Sequence, residues 1–215
     1  MPAKNTVVIR RDFPRPDREL VEGFHGVTTG FVVDAPSRRG ALGHLIHAIH
    51  DGGPCVGPAL TCWTIPRGNL TPYVALSVSK PGDVLVATNG GATDASILGN
   101  LLLGVAGNRG IAAVVTDNLV RDVDGIEEAG IPVYADGLSA NSPFKNGPGD
   151  IVGGDRDGVV VVPPPRAREV LDTLLGVRKK EAEMEAAIHG GLDAPAWLHG
   201  ILDSDRVRYL DTPGA

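Results

Sequence analysis

Apolar residues along this chain fall into two rhythms, short unbroken runs and longer stretches at helical spacing. The short runs are Val84-Leu85-Val86-Ala87, Ile111-Ala112-Ala113-Val114-Val115, Ile131-Pro132-Val133-Tyr134-Ala135 and Val159-Val160-Val161-Val162. Most are rich in β-branched side chains and bounded by glycine, proline or polar residues, a pattern that predicts buried strands. Pro54 to Ile65 reads as a further buried strand, broken at Gly57-Pro58. Helices are predicted over Pro72–Val78, through Leu101 to Ala106, and over about Ala167–His189, where Val170, Leu174 and Val177 make an apolar stripe. Leu42, Leu45, Ile46 and Ile49 stand at i, i+3, i+4 and i+7, which predicts an amphipathic helix over Gly40–Asp51 carrying His44, His47 and His50 on its other face. Residues 1–23 are proline-spotted and charged, and read as an extended arm entering a short helix. Strands alternating with helices predict an α/β fold whose sheet is buried, at least in part, on both faces.

Composition narrows the picture. With 215 residues, 42% of them hydrophobic, the chain suits a domain of ordinary size. A net charge of −6 argues against a general attraction to nucleic acid or anionic membrane, and 4% aromatics leave little for base stacking. Cys55 and Cys62 cannot build a disulfide framework, and no zinc-ligand spacing surrounds them. No apolar leader follows Met1, and the longest run free of polar residues and glycine, Val159–Pro165, is too short to span a bilayer. The expectation is a cytoplasmic protein with no membrane partner and no nucleic-acid partner. The organisation expected is an N-terminal arm (1–26), a main domain (27–190) and a tail (191–215), whose Trp197, Leu198, Tyr209 and Leu210 suit packing on a neighbouring subunit.

Two segments carry candidate chemistry. The run Val114-Val115-Thr116-Asp117-Asn118-Leu119-Val120-Arg121-Asp122 ends β-rich residues abruptly at adjacent opposite charges. Such a strand delivers polar groups to the rim of a sheet, where an Arg fork suits a carboxylate and an Asp suits a hard divalent cation. A plain surface ion pair is the other reading. Gly90-Gly91, followed by Gly99-Asn100-Leu101-Leu102 at a helix start, offers backbone N–H groups to an anion; ordinary turn glycines are the alternative. The histidine row is less promising, because steps of three turn each residue by about 60° and set the outer two about 120° apart, which suits a solvated face better than one metal. Lys179-Lys180-Glu181-Ala182-Glu183 likewise reads as a wet helix face.

Taken as an ordered set, Pro81-Gly82-Asp83-Val84-Leu85-Val86, Gly99-Asn100-Leu101-Leu102, Arg109-Gly110-Ile111-Ala112-Ala113-Val114-Val115-Thr116-Asp117 and Val120-Arg121-Asp122 resemble the RraA-like family. Val56-Gly57-Pro58-Ala59, Asn69-Leu70 and Asp155-Arg156-Asp157-Gly158 through Pro163 agree, and the likeness runs roughly from Val27 to Glu185. That family includes class II 4-hydroxy-4-methyl-2-oxoglutarate/4-carboxy-4-hydroxy-2-oxoadipate aldolases and the regulator of ribonuclease E activity A. The resemblance implies a three-layer β/β/α swivelling-domain sandwich, assembled as homotrimers or hexamers with the site between subunits. It implies that Arg121 binds the carboxylate of a small 2-oxo acid, that the backbone of Gly99, Asn100, Leu101 and Leu102 receives the same group, and that Asp122 holds Mg²⁺ or Mn²⁺ largely through waters. A glutamate on the C-terminal helix of the adjacent protomer would complete the ion's surroundings, and Glu181 is the best-placed match. The activity implied is a metal-dependent carbon–carbon lyase, an aldolase with oxaloacetate decarboxylase activity; the alternative is a non-catalytic, protein-binding regulator of a ribonuclease. The chain departs from the family pattern in three places. Asn100 stands where the aldolases usually carry an acid, Asn118 stands where they usually carry glycine, and the Lys145–Asp155 region is shorter by about two short strands.

Overall fold

Three of the four short apolar runs, those at 84–87, 111–115 and 131–135, supply the inner strands of a five-stranded sheet, while Val159–Val162 joins a separate two-stranded pair. The computed structural model describes residues 7–34, 41–49, 53–140, 151–155, 158–162 and 164–209. In chain order the elements are β1 (Val7–Ile9), α1 (Arg18–Glu22), α2 (Thr29–Asp34), β2 (His47–Ala48), β3 (Ala59–Trp63), α3 (Leu70–Ser77), β4 (Val84–Thr88), β5 (Ser96–Leu98), α4 (Asn100–Asn108), β6 (Ala113–Thr116), β7 (Leu119–Val120), α5 (Val123–Ala129), β8 (Val133–Ala135), β9 (Gly137–Leu138), β10 (Ile151–Asp155), β11 (Gly158–Val162), α6 (Pro164–His189), α7 (Ala196–Leu202) and β12 (Val207–Tyr209).

The larger sheet has the order β2-β8-β6-β4-β3, with β3, β4, β6 and β8 parallel and β2 antiparallel at one edge. Leu85, Ala87, Val114 and Val133 on its inner strands are buried, as unbroken apolar runs require. A second, parallel sheet has the order β5-β7-β9. β10 and β11 form an antiparallel pair, and β1 pairs in parallel with β12.

The connections β3-α3-β4 and β4-α4-β6 step across the sheet in one direction. Right-handed crossovers therefore set α3 and α4 side by side on one face, and the two helices touch. Both begin at the end of the sheet where the parallel strands finish. The buried side of α4 is Leu102, Leu103, Val105 and Ala106. Its outer side meets α6, where Gly104 lies under Ile188 and Asn108 Nδ2 donates to the carbonyls of Ile188 and Leu192 at 2.9 and 2.7 Å. The C-terminal residues pack on their own chain: Leu198 is buried in the core, and Trp197 stands edge-on to Tyr73 with ring centres 5.3 Å apart. Leu210 lies outside the described residues.

The helix expected over Gly40–Asp51 is not formed. Residues 41–46 are loop and turn, and His47–Ala48 pair with Ala135 and Tyr134 as β2. The i, i+3 spacing had no face to bury: Leu42 and Leu45 stay exposed while Ile49 packs on the core, so pairing with β8 decides the conformation. His44 and His47 are exposed, and His50 lies outside the described residues. Among the described residues no helix is long and apolar enough to cross a membrane.

Candidate functional site

The second sheet carries the polar rim foreseen from the Arg-Asp step. β7 ends at Val120, and the Arg121 amide donates to the Leu98 carbonyl at 3.1 Å. That bond sets the end of β7 beside the end of β5, so Gly99 and α4 start next to Arg121 and Asp122. Arg121 Nε lies 3.5 Å from Asp122 Oδ2, and the side chains are 52% and 33% exposed. This pair is therefore open to solvent, unlike a buried structural ion pair. Apart from this contact, the Arg121 guanidinium makes no hydrogen bond among the described residues. Its terminal nitrogens are available to an incoming anion.

Asp122 sits at the N-cap position of α5 with left-handed backbone angles, φ 63° and ψ 48°, and its carboxylate makes no cap hydrogen bond. The carboxylate turns instead toward Gly99, where it fills the space a side chain at residue 99 would take. Gly99 has extended backbone, so the demand for glycine here comes from close approach and not from dihedral strain. Asn100 opens α4, and its Oδ1 accepts from the Leu101 amide at 2.8 Å. The Asn100 and Leu102 amides, in the first turn, have no intrahelical acceptor. Guanidinium and helix N-terminus thus present donors on one side while the Asp122 carboxylate presents an acceptor beside them.

A framework of buried and half-buried polar groups braces this rim; of these Asn118 stands out in the sequence only as a departure from the family pattern. Asn118, fully buried, donates from Nδ2 to the Ala92 carbonyl and accepts from the Leu119 amide at 2.7 Å. Asp117 accepts from Thr88 Oγ1 at 2.6 Å, and Asn89 exchanges bonds with Ala92 at 2.9 and 3.0 Å. The signal was a polar residue directly after each apolar strand.

The structure brings Gly99, Asn100, Arg121 and Asp122 together. Glu181 stands apart on α6, half-buried and in no ion pair among the described residues. No cluster of three or more His, Cys, Asp or Glu side chains suited to a metal occurs among the described residues. A single, partly exposed carboxylate fits a hard cation that keeps most of its waters; it does not fit a fully protein-ligated ion. The cysteines offer no nucleophile: burial, only partly offset by Thr71, pushes the Cys62 thiol up to about 12, and burial also raises Cys55.

Comparison with known proteins agrees with this architecture. A protein of Halalkalibacterium halodurans named "Putative 4-hydroxy-4-methyl-2-oxoglutarate aldolase" is 29% identical over 184 residues, covering 78% of this chain and 86% of that one. The solved structure of Streptomyces coelicolor RraAS2, described as an unusual member of the RNase ES inhibitor RraA protein family, aligns with TM-score 0.51 and 27% identity over 80% of this chain and all of that one. An uncharacterized protein from Pseudomonas syringae shares the fold with TM-score 0.52 at 23% identity, over 84% of this chain and 96% of its own. The family described as RraA-like, Aldolase/RraA, matches residues 29–161, and the chain belongs to it.

Proposed function

We propose that this protein is a divalent-metal-dependent carbon–carbon lyase acting on small 2-oxo acids. The observation that carries the reading is the solvent-open Arg121, its terminal nitrogens unspent, beside the Asp122 carboxylate, which lies against Gly99 at the start of α4. Arg121 takes the substrate's carboxylate through its two-donor fork. The first-turn amides of α4 add backbone donors and a favourable dipole. Asp122 holds Mg²⁺ or Mn²⁺, which when bound supplies a Lewis acid for the 2-oxo oxygen. Gly99 keeps the distance between carboxylate and helix short. The likeness to the H. halodurans protein supports the aldolase class.

Asn100 separates two reactions that both break the C3–C4 bond and leave pyruvate. Retro-aldol cleavage must take a proton from the 4-hydroxyl, and an amide cannot accept one at neutral pH. Oxaloacetate decarboxylation needs no such proton transfer, so it is the better-supported activity here. In a homotrimer or hexamer Glu181 would serve a partner's site, which its unpaired, half-buried carboxylate permits.

The test is pyruvate release from oxaloacetate and a panel of 4-hydroxy-2-oxo acids, with Mg²⁺, with Mn²⁺ and with chelator. Chelator-sensitive release is expected, with Arg121→Ala reducing it by roughly 10²-fold. No pyruvate from any substrate with either ion would overturn the proposal. The likeness to S. coelicolor RraAS2 favours a second reading, a protein-binding regulator of a ribonuclease. That reading predicts partner binding unchanged by Arg121→Ala.

A further inference from the structure

We infer that the free edge of β3 is a docking site for an extended, acidic peptide of another protein, which adds as a strand along Ala59–Trp63. The inference stands apart from the Arg121 site and does not rest on the lyase reading. β3 ends the five-stranded sheet and pairs only with β4. The Val84 amide donates to the Pro58 carbonyl and the Thr64 amide to the Thr88 carbonyl, both at 2.8 Å. In a parallel ladder this register aims the main chain of Leu60 and Cys62 at β4 and that of Ala59, Thr61 and Trp63 away from it. Those outward amides and carbonyls make no hydrogen bond among the described residues.

Sheet edges are usually blunted by a charge, a proline or a covering element. Ala59–Ile65 contains no charged residue and no proline, and Trp63 and Ile65 are 67% and 69% exposed. The edge opens on a cavity of about 1000 Å³. β3 lines one side and β1 another, with Leu70, Val74 and Val78 adding apolar surface. On β1 the Val7 amide donates to the Arg206 carbonyl, so Val7 and Ile9 face β12 and the main chain of Val8 turns away from it. Free main-chain groups therefore border the cavity from two strands.

Charge names the occupant. The lining includes Arg10 and Arg206 and no acidic residue, in a chain whose net charge is −6. The Arg206 guanidinium is in no hydrogen bond or ion pair among the described residues. Main-chain pairing holds an extended strand, its alternate apolar side chains suit the lining, and a carboxylate suits the arginines. A second copy's β3 would bring no acid to them.

The probe is a fluorescein-labelled synthetic peptide of alternating valine and threonine with glutamates at one end, followed by anisotropy with the intact protein. Binding with a Kd of about 10 μM is expected. Methylating alternate peptide nitrogens should weaken it roughly tenfold or more, and so should Thr61→Pro, which removes an outward donor and keeps the bonds to β4. Thr61→Val keeps that amide and should bind like wild type. Arg206→Glu, or lysines in place of the glutamates, should each cost roughly tenfold. The methylated peptide tests strand pairing without altering the protein, so it decides the matter even where the proline variant fails to fold. Equal binding of the methylated and unmethylated peptides would overturn strand addition. No binding of the acidic peptide up to about 1 mM would overturn the site. A dimer that Thr61→Pro dissociates would assign the edge to a second copy and overturn the peptide reading.

Discussion

The carboxylate of Asp122 rests against the Cα of Gly99, in the space any side chain there would need. An alanine methyl at residue 99 would stand 3.1 Å from Asp122 Cγ and 3.2 Å from Arg121 Cγ, and would run into Asp122 Oδ2. Both proposed binding groups would have to move. Gly99→Ala should therefore cut metal-dependent pyruvate release by about 10²-fold, as a misplacement of roughly 1 Å does, while costing the fold only about 1–2 kcal/mol. Steady-state kinetics beside a denaturant titration check both halves. An alanine variant with wild-type turnover would show that the position of this carboxylate does not matter.

Asp122 also has the rarer backbone of the pair. It is one of two non-glycine residues with positive φ among those described, and Asp and Asn tolerate that conformation better than other L-residues. Three substitutions separate geometry from charge. Asp122→Asn should unfold like wild type but lose metal-dependent turnover. Asp122→Ala should lose turnover and about 1 kcal/mol of stability from left-handed strain. Asp122→Gly should remove the strain without returning activity. Urea midpoints rank the three, and turnover at saturating Mg²⁺ completes the comparison.

The parallel strands were legible because burial on both faces leaves no place for a polar residue in Val84–Ala87 or Ala113–Val115. Arg121 and Asp122 were legible for the complementary reason, as charges placed where the apolar run stops. β5 and β7 were not, since Ser96–Leu98 and Leu119–Val120 are too short to show a period and are defined by pairing within the β5-β7-β9 sheet. At Gly40–Asp51 the spacing pointed to a helix, but pairing with β8 outweighed it. Trp197 and Leu198 could be recognised as apolar anchors, yet nothing in their spacing names α3 as the surface they meet or sets Trp197 on Tyr73.

Residue 100 offers a gain-of-function experiment. A Cβ on Gly125 would stand 2.6 Å from the Cβ of Asn100, so α4 and α5 approach closely here and only an isosteric change will fit. Asp is isosteric, can keep the 2.8 Å bond from the Leu101 amide, and suits the positive end of α4, a gain of about 0.5 kcal/mol. It also supplies the proton acceptor that retro-aldol cleavage requires. Asn100→Asp should raise aldol cleavage relative to oxaloacetate decarboxylation by roughly 10²-fold, the usual scale of general-base assistance. An unchanged ratio would show that residue 100 takes no part in the proton transfer.

Far from the site, Arg15 ties the N-terminal arm to the sheet. Its Nε and Nη2 donate to the two carboxylate oxygens of Asp83 at 2.9 and 2.7 Å, the Lys80 amide donates to Oδ2 at 2.8 Å, and the arginine stacks on Phe13. Burial pushes the Asp83 carboxyl up, but the Arg15 and Lys80 bonds and the charges of those residues outweigh it and hold the group below its usual value. A depressed carboxyl stabilises the fold above its unfolded pKa of about 3.9, and that contribution disappears as pH falls through the lower folded value. Arg15→Ala leaves Asp83 buried without its cation, and should cost about 3 kcal/mol at pH 7. With Arg15 gone, burial dominates, the carboxyl titrates higher, and protonation relieves the variant before it affects wild type. The gap between the two proteins should therefore begin to close once pH drops into the variant's raised range, and should be smallest at the acid end. Urea titrations from pH 7 downward test this; a gap that stays constant with pH would mean that the Arg15–Asp83 pair contributes packing and no charge coupling.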